Sequence, residues 1–437
     1  MWFDEGAFYQ IYPLGFCGAE RENDFGEIRH RLGLIEAEIP RLKELGVKAV
    51  MFNPLFESER HGYDTIDFFK VDRRLGTNEE LKNLVAAFHA AGIRVVLDGV
   101  FHHTGRAFAP FREVLQKRED TDYRFWFNID FYADSPYHDG LNYDNWEGHA
   151  ELVKLRLENC DLQNYLMDAV RYWIREFGID GLRLDVSYSL PVWFLEMLRR
   201  TVRELKEDFF LVGEVIHIGN SMERISPERL NSVTNYECYK GLVSAFNCDN
   251  LFEIEHSLTR LFSNQPWSLY TGKNLLSFAD NHDVPRVATA LRDGRKMLAL
   301  YTVLFTMPGI PCLYYGSEYG ARGDKGDADV HLRPAMSEID RSANPELYER
   351  LKKLYRIRGE HRALAYGCYE KRTLQNKFFC FRREGCGETL FTAANIGESD
   401  CTVYADGGEG VDLLTGESYA LGEIRLKPFE AKIILKK

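Results

Sequence analysis

No stretch of the sequence approaches the roughly 20 consecutive apolar residues that a membrane span requires. Its first residues, MWFDEGAFYQIYPLGF, lack the basic region followed by an apolar run that marks a secretory signal. There is no CxxC pair and no His/Cys cluster at zinc-site spacing. The nine cysteines are odd in number and scattered, which reads as reduced thiols rather than a disulfide framework. A dense basic surface is missing as well. The chain has 55 Lys and Arg against 67 Asp and Glu, a net charge of −12 that serves solubility and argues against a polyanionic partner. These absences predict a cytoplasmic protein that binds neither membrane nor nucleic acid. No internal repeat or low-complexity segment stands out.

What is present fills a large protein. With 437 residues, 45% of them hydrophobic, the chain can bury one large core and one smaller core, because single cores stop growing at about 250 to 300 residues. Short apolar runs rich in β-branched or aromatic residues alternate with longer segments of helical period, the pattern of βα units around a parallel sheet. Strands are predicted at Phe8–Ile11, Ala49–Asn53, Val95–Gly99, Gly181–Asp185, Phe210–Glu214, Ser232–Asn235, Leu275–Phe278 and Cys312–Tyr315. Helices are predicted at Asn78–Ala91, with Asn78 as N-cap, at Leu162–Phe177, stopped by Gly178, and at Leu190–Lys206. Eight such units point to a (β/α)8 barrel, whose active sites gather at the C-terminal ends of the strands. A doubly wound sheet is the competitor, but no glycine-rich phosphate turn follows Ile11.

The connection after the third strand is too long for a plain loop and reads as a small lobe overhanging the barrel. Past about Arg358, short alternating stretches at Phe378–Arg382, Thr389–Ala394, Ser399–Tyr404 and Ala431–Leu435 predict an antiparallel β sandwich. The expected division is a barrel over 1–103 and 161–357, an excursion domain over 104–160 and a C-terminal domain over 358–437.

Polar residues at the C-terminal ends of apolar barrel strands need a reason, because burial there is costly without partners. Strand three ends in Asp98-Gly-Val-Phe-His102-His103, strand four carries Arg183 and Asp185, strand five leads into Glu214, and strand seven into Asp280-Asn-His282-Asp283. Arg183 and Asp185, two apart on a strand, point the same way. That predicts a lowered pKa for Asp185, which suits a nucleophile, whereas Glu214 sits on an apolar strand without an adjacent cation and suits a proton donor. Glycosidic cleavage needs such a division of roles between carboxylates.

On these four motifs, in this order, the chain resembles the α-amylase family, glycoside hydrolase family thirteen, over nearly its whole length. Asp98–His103, Gly181–Val186, Gly213–Val215 and Phe278–Asp283 are similar to the family's four signatures, and Leu45–Leu55 to its second strand. The resemblance implies that Asp185 is the nucleophile, Glu214 the general acid/base and Asp283 the carboxylate that holds sugar hydroxyls in the transition state. It implies that Asp98, His103, Arg183 and His282 line the subsite of the reacting glucose, and that Tyr63, in HGYD, stacks beside that glucose. HGYDTIDFFKVD, GTNEELKNLV, DGVFHHTG and SVTNYECYKG resemble the neopullulanase and cyclomaltodextrinase branch.

The implied activity is retaining hydrolysis of α-1,4-linked maltooligosaccharides, cyclodextrins or related α-glucans, with transglycosylation alongside. An α-1,6-glucosidase, a sucrose-acting or isomerising enzyme, and a non-catalytic amylase-like subunit are the alternatives. The branch's extra N-terminal β domain has no room before a first strand at about residue 8, so dimerisation by that route is not expected.

No cofactor and no metal are expected. His102 stands where the first signature ordinarily has an Asn that helps bind structural calcium, and imidazole is a poor ligand for a hard cation. His102 and His103, as strand neighbours, are expected to face opposite ways and not to share a metal. Of the lobe's aromatics, Trp126, Phe127, Tyr132, Tyr137, Tyr143 and Trp146, about a third are expected to wall sugar subsites and the rest to form a core. Asp280 reads as orienting His282, and Arg333, in His-Leu-Arg-Pro, as structural.

Overall fold

The computed structural model of the chain describes residues 1–217, 222–326 and 329–437. Eight parallel strands form its central sheet: β1 (Phe8–Ile11), β2 (Ala49–Phe52), β3 (Arg94–Gly99), β4 (Gly181–Leu184), β5 (Phe210–Gly213), β6 (Ser232–Val233), β7 (Leu276–Phe278) and β8 (Ile310–Tyr314). Hydrogen bonding runs β6-β5-β4-β3-β2-β1-β8-β7. A parallel bridge from Thr234 to Leu276 brings β6 against β7 and closes the ring. This is the (β/α)8 barrel that the alternation of the sequence predicts. The barrel interior is filled by Phe8, Ala49, Met51, Val96, Phe210, Val212, Leu276, Phe278, Ile310 and Cys312, which pack as one cluster.

The helices start where their caps put them. Helix α1 (Asn78–Ala90) begins one residue earlier in cap terms than predicted, because Thr77, not Asn78, is the N-cap. Thr77 and Glu80 form a reciprocal capping box: the Thr77 hydroxyl accepts the Glu80 N–H at 3.2 Å, and the Glu80 carboxylate accepts the Thr77 N–H at 2.8 Å. Asn78 instead accepts the Val71 N–H and donates to the Phe69 carbonyl. Helix α2 (Cys160–Tyr172) likewise starts before its predicted position, capped by Asn159, and continues as a π turn over Trp173–Phe177 to left-handed Gly178. Helix α3 (Val192–Arg203) is shorter than predicted, with Pro191 ahead of its first residue.

At the entry to β4, Asp180 is fully buried and accepts four hydrogen bonds: from His89 Nε2 at 2.7 Å, Arg94 Nη1 at 2.8 Å, Lys206 Nζ at 2.6 Å and the Val95 N–H at 2.8 Å. Burial works against the charge, but these donors outweigh it and hold the carboxyl well below the usual Asp range. Asp180→Asn is expected to cost about 2 to 3 kcal/mol at pH 7. A depressed folded pKa contributes stability that is complete above the unfolded value, about 3.9, and is lost as pH falls below it. The gap between wild type and variant in urea unfolding is therefore expected to narrow from pH 7 to pH 3.

Two insertions stand over the C-terminal ends of the strands. After β2, the hairpin Phe56–Ser58 with Thr65–Val71, which the sequence does not single out as strands, carries His61 to Asp64 on its loop. After β3, the chain makes the helix Ala109–Lys117 and a three-stranded sheet of His103–Gly105, His149–Lys154 and Asn145–Trp146. Trp126, Phe127 and Tyr143 are buried in this lobe, while Tyr137 is half exposed and Tyr132 is 95% exposed.

Helix α4 (Met297–Thr306) precedes β8, and α5 (Pro345–Glu360) follows it. Beyond α5, six antiparallel strands at Cys368–Leu374, Phe378–Gly385, Glu388–Asn395, Ala431–Lys436, Glu409–Asp412 and Ser418–Ala420 pair in that order. The predicted strand at Ser399–Tyr404 lies outside this sheet. Its observed part, Cys401–Val403, pairs with Ile424–Leu426 as a ribbon, and Val403, Ile424 and Leu426 pack against Cys380, Phe391 and Ile434 of the large sheet. Two fully buried arginines tie sheet and barrel together through main-chain carbonyls. Arg383 donates to Thr306 O at the end of α4 and to Gly367 O, and Arg358 to Gly309 O before β8 and to Leu364 O.

Candidate active site

Parallel register sets Arg183 on β4 directly beside Asp98 on β3. The Arg183 guanidinium is buried and serves three carboxylates at once. Its Nη1 donates to Asp98 Oδ2 at 2.7 Å and to Asp185 Oδ1 at 3.0 Å, and its Nη2 lies 2.8 Å from Glu214 Oε1. The second Glu214 oxygen accepts the Val186 N–H at 3.1 Å. That N–H is aimed by an unusual backbone, since Val186, a β-branched residue, sits at φ 48°, ψ 35° in the left-handed region. Such strain concentrates where a chain must present particular groups. Close packing also explains Gly213 before Glu214: a Cβ there would stand 2.4 Å from Ser187 Oγ.

The other side of the mouth is built on β7 and β1. Asp283 receives His282 Nε2 at 2.9 Å and Arg333 Nη2 at 2.8 Å, and its N–H is held by Asn281 Oδ1. His282 Nδ1 lies 3.0 Å from Gln10 Nε2 on β1. Tyr63 reaches in from the hairpin after β2. Its hydroxyl meets His282 Nε2, receives Asn53 Nδ2 at 3.0 Å and donates to Asp98 Oδ2 at 3.3 Å, and its ring stacks on His282 at 5.7 Å. His103 Nε2 is 3.8 Å from Asp185 Oδ2. All eight predicted site residues, Tyr63, Asp98, His103, Arg183, Asp185, Glu214, His282 and Asp283, thus meet in one connected cluster.

Several expectations are corrected here. Glu214 does have an adjacent cation, because Arg183 is long enough to reach across from β4 to β5. Nor is Asp185 lowered. Burial pushes its carboxyl well above the ordinary value, Arg183 pulls it down, and Glu214, Asp98 and Asp283 push it up again. Burial likewise carries Asp98 up to about 7 against the pull of Arg183. Asp283 differs: His282 and Arg333 overcome its burial and hold it far below the carboxylate range.

His102 and His103 do not face apart. Their Nδ1 atoms are 3.2 Å from one another, since His102 precedes the strand that His103 begins. Burial first, then His102, keeps the His103 imidazole well below its usual pKa and hence neutral. Asp280 does not orient His282. It accepts Ser317 Oγ at 2.8 Å and the Val287 N–H at 2.9 Å, and Gln10 orients the histidine. Arg333 does not act only as structure, because it grips Asp283 directly. Among the described residues, no group of three or more His, Cys, Asp or Glu is arranged to hold a metal ion.

In and around this cluster Asp64 Oδ2, Asp98 Oδ1, His103 Nε2, Trp146 Nε1 and Ser187 Oγ are buried without a hydrogen bond to the protein of ordinary geometry.

A barrel whose mouth gathers three carboxylates around a buried arginine is laid out as a glycoside hydrolase. Residues 10–350 match the family model described as "Alpha amylase, catalytic domain", and the chain belongs to the α-amylase family. A maltogenic α-amylase of Bacillus acidopullulyticus is 31% identical over 383 residues, which is 83% of this chain and 64% of that protein. The chain therefore spans less than two thirds of that relative's length. A cyclomaltodextrinase of a Bacillus sp is 31% identical over 430 residues, 90% of this chain and 73% of that protein. Among solved structures, a cyclic α-maltosyl-(1→6)-maltose hydrolase from Arthrobacter globiformis, in complex with that cyclic sugar, superposes with a TM-score of 0.83 at 26% identity, covering 100% of this chain and 99% of that one.

Proposed function

We propose that this chain is a retaining glycoside hydrolase that cleaves α-1,4-glucosidic bonds in maltooligosaccharides, cyclodextrins or related α-glucans through a covalent glycosyl-enzyme intermediate. The observation that carries the reading is the single Arg183 guanidinium shared by Asp98, Asp185 and Glu214. It fixes two carboxylates from successive strands around one point, as double displacement at an anomeric carbon demands. Asp185 attacks that carbon while Glu214 protonates the departing glycosidic oxygen. Glu214 then takes a proton from water, or from a sugar hydroxyl in transglycosylation, as the new bond releases Asp185. Asp283, kept ionised by His282 and Arg333, faces the positive charge that develops on the ring. His103 Nε2 and Asp98 Oδ1 have no protein hydrogen-bond partner, and His103 lies 3.8 Å from Asp185.

The maltogenic α-amylase and the cyclomaltodextrinase carry the names of enzymes acting on such glucans, and the Arthrobacter structure holds a cyclic α-glucan. A cytoplasmic location accords with nine cysteines that are all free. No helix of the described residues is long and apolar enough to cross a membrane.

The test is a chromatographic product profile on maltotriose, β-cyclodextrin, pullulan and isomaltose, with Glu214→Gln as control. Cleavage of the first three with isomaltose untouched is expected. Cleavage of isomaltose alone would overturn the linkage, and cleavage unaffected by the variant would overturn the site.

A further inference from the structure

The two nitrogens of His282 meet opposite kinds of neighbour. Nε2 faces the Asp283 carboxylate oxygen Oδ2 at 2.9 Å and touches the Tyr63 hydroxyl, whose own proton goes to Asp98 Oδ2. A carboxylate offers no proton, so a bare Nε2 would set lone pair against lone pair; Nε2 therefore carries a hydrogen. Nδ1 faces a donor, the side-chain nitrogen of Gln10 at 3.0 Å. The Asn53 amide nitrogen lies 3.3 Å from Nδ1 and 3.2 Å from Nε2 and so favours neither.

Which end of the Gln10 amide faces the ring is decided further round the barrel. Arg183 Nη1 donates to Asp98 Oδ2 and to the Tyr63 hydroxyl, which makes acceptors of both oxygens. Asn53 turns its nitrogen to them, at 3.0 Å from Tyr63 Oη and 3.4 Å from Asp98 Oδ2. Its Oδ1 is thereby presented to β1, where Gln10 Nε2 donates to it at 2.9 Å. The second hydrogen on that Gln10 nitrogen is left for His282 Nδ1. Gln10, Asn53 and His282 are all buried, so reversing either amide would leave donor against donor without water to relieve it.

We propose that Gln10 is a positioning residue for the reaction, whose amide N–H holds the Nδ1 lone pair of His282 and so keeps that histidine a neutral imidazole with its one proton on Nε2, toward Asp283. This role rests on the hydrolase reading above and goes beyond the orientation of the ring. An imidazolium here would set a positive charge beside the one that grows on the sugar ring and would cancel the field of Asp283. The neutral ring steadies Asp283 and leaves its charge intact. Other neighbours agree. Burial holds the His282 pKa below its usual value against the pull of Asp283, with Arg333 and Arg183 working in the same direction as burial. Tyr12, Tyr63 and Tyr314, whose rings lie beside it, stay uncharged because burial raises all three phenols.

Gln10→Glu replaces the donor by an acceptor of the same shape. In protein labelled with 15N-histidine, the signals that vanish in His282→Asn are expected to show, for wild type at neutral pH, a protonated Nε2 and a bare Nδ1. In Gln10→Glu both nitrogens are expected to be protonated. Its kcat on maltotriose is expected to fall about tenfold with KM within about threefold, since the added charge acts where the transition state turns positive. If Gln10→Glu does not fold, Gln10→Met removes the donor alone, and the bare Nδ1 signal is expected at higher shift, as an unprotonated nitrogen gives on losing a hydrogen bond. A wild-type His282 protonated on Nδ1 overturns the proposal, as do variants that leave the signals of His282 unmoved. An unchanged kcat in a Gln10→Glu enzyme that holds the imidazolium overturns it too. If wild type cleaves no α-glucan, the hydrolase reading has failed, while the spectrum still reports where the proton sits; if wild type is active and the spectrum disagrees, only the role of Gln10 has failed.

Discussion

Asp185→Asn is expected to lower turnover of maltotriose by roughly 10^4- to 10^6-fold, the scale of losing a covalent nucleophile, while the protein melts no lower than wild type. Both halves come from the same cluster. Three carboxylates share one buried guanidinium, and burial together with their mutual repulsion pushes Asp185 above its ordinary pKa. An isosteric amide removes one of those charges, and Arg183 keeps Asp98 and Glu214, so the fold loses nothing. Added azide separates chemistry from geometry. In Asp185→Ala it attacks the anomeric carbon from the vacated face and gives the β-glycosyl azide, the opposite configuration to the substrate. An α-azide from this variant would show that some other side chain forms the intermediate.

Glu214→Gln is expected to lose about 10^2- to 10^4-fold on maltotriose, the worth of a positioned acid/base, yet to react with α-maltosyl fluoride at a rate much closer to wild type. Fluoride departs without a proton, so the first step no longer needs the acid; Asp185→Asn gains nothing from the same substrate. Equal losses in the two variants would sink the division of roles. The fluoride assay also yields a pH signature. Asp185 must be ionised to attack, so its pKa sets the acid limb of kcat/KM. Burial raises that pKa and Arg183 lowers it, while the Glu214 charge is among those that raise it. At that limb Glu214 still holds the proton it donates, so the limb is expected at the same pH in Glu214→Gln as in wild type, and a large shift would mean that Glu214 is already ionised when Asp185 titrates.

Much of this site could be read from the sequence because barrel strands are nearly all apolar, which leaves Asp98, Arg183, Asp185 and Glu214 conspicuous where they end. The same rule reaches Gln10 in FYQI and Asn53 after AVMF, whose amides hold His282 and Tyr63; both are polar residues on apolar strands and were legible by the criterion that found the rest. Arg333 was not. It lies in a loop after the eighth strand, and only folding brings it 2.8 Å from Asp283. The electrostatics were misread for a related reason. Spacing two apart on a strand ties Arg183 to Asp185, but reach across strands adds Asp98 and Glu214, and a charge balance depends on every neighbour. Helix starts moved for local causes: Thr77 outcompetes Asn78 because Glu80 stands three residues on to complete the box. The hairpin after β2 escaped notice because its strands, paired with irregular register, have no clean alternation.

The joint between barrel and C-terminal sheet has an energetic asymmetry. Arg358 and Arg383 are buried at that seam and bond to carbonyls rather than to carboxylates, and burial draws both below the usual arginine pKa, Arg358 to about 10 and Arg383 to about 9. Each charge is held in a dry place by neutral main-chain acceptors. Once water enters, hydration rewards further opening, since no carboxylate is bonded to either guanidinium to draw the seam shut again. A partly open joint is thus the least favourable arrangement of all, and the last seventy or so residues share the fate of the barrel as one cooperative body rather than flexing against it.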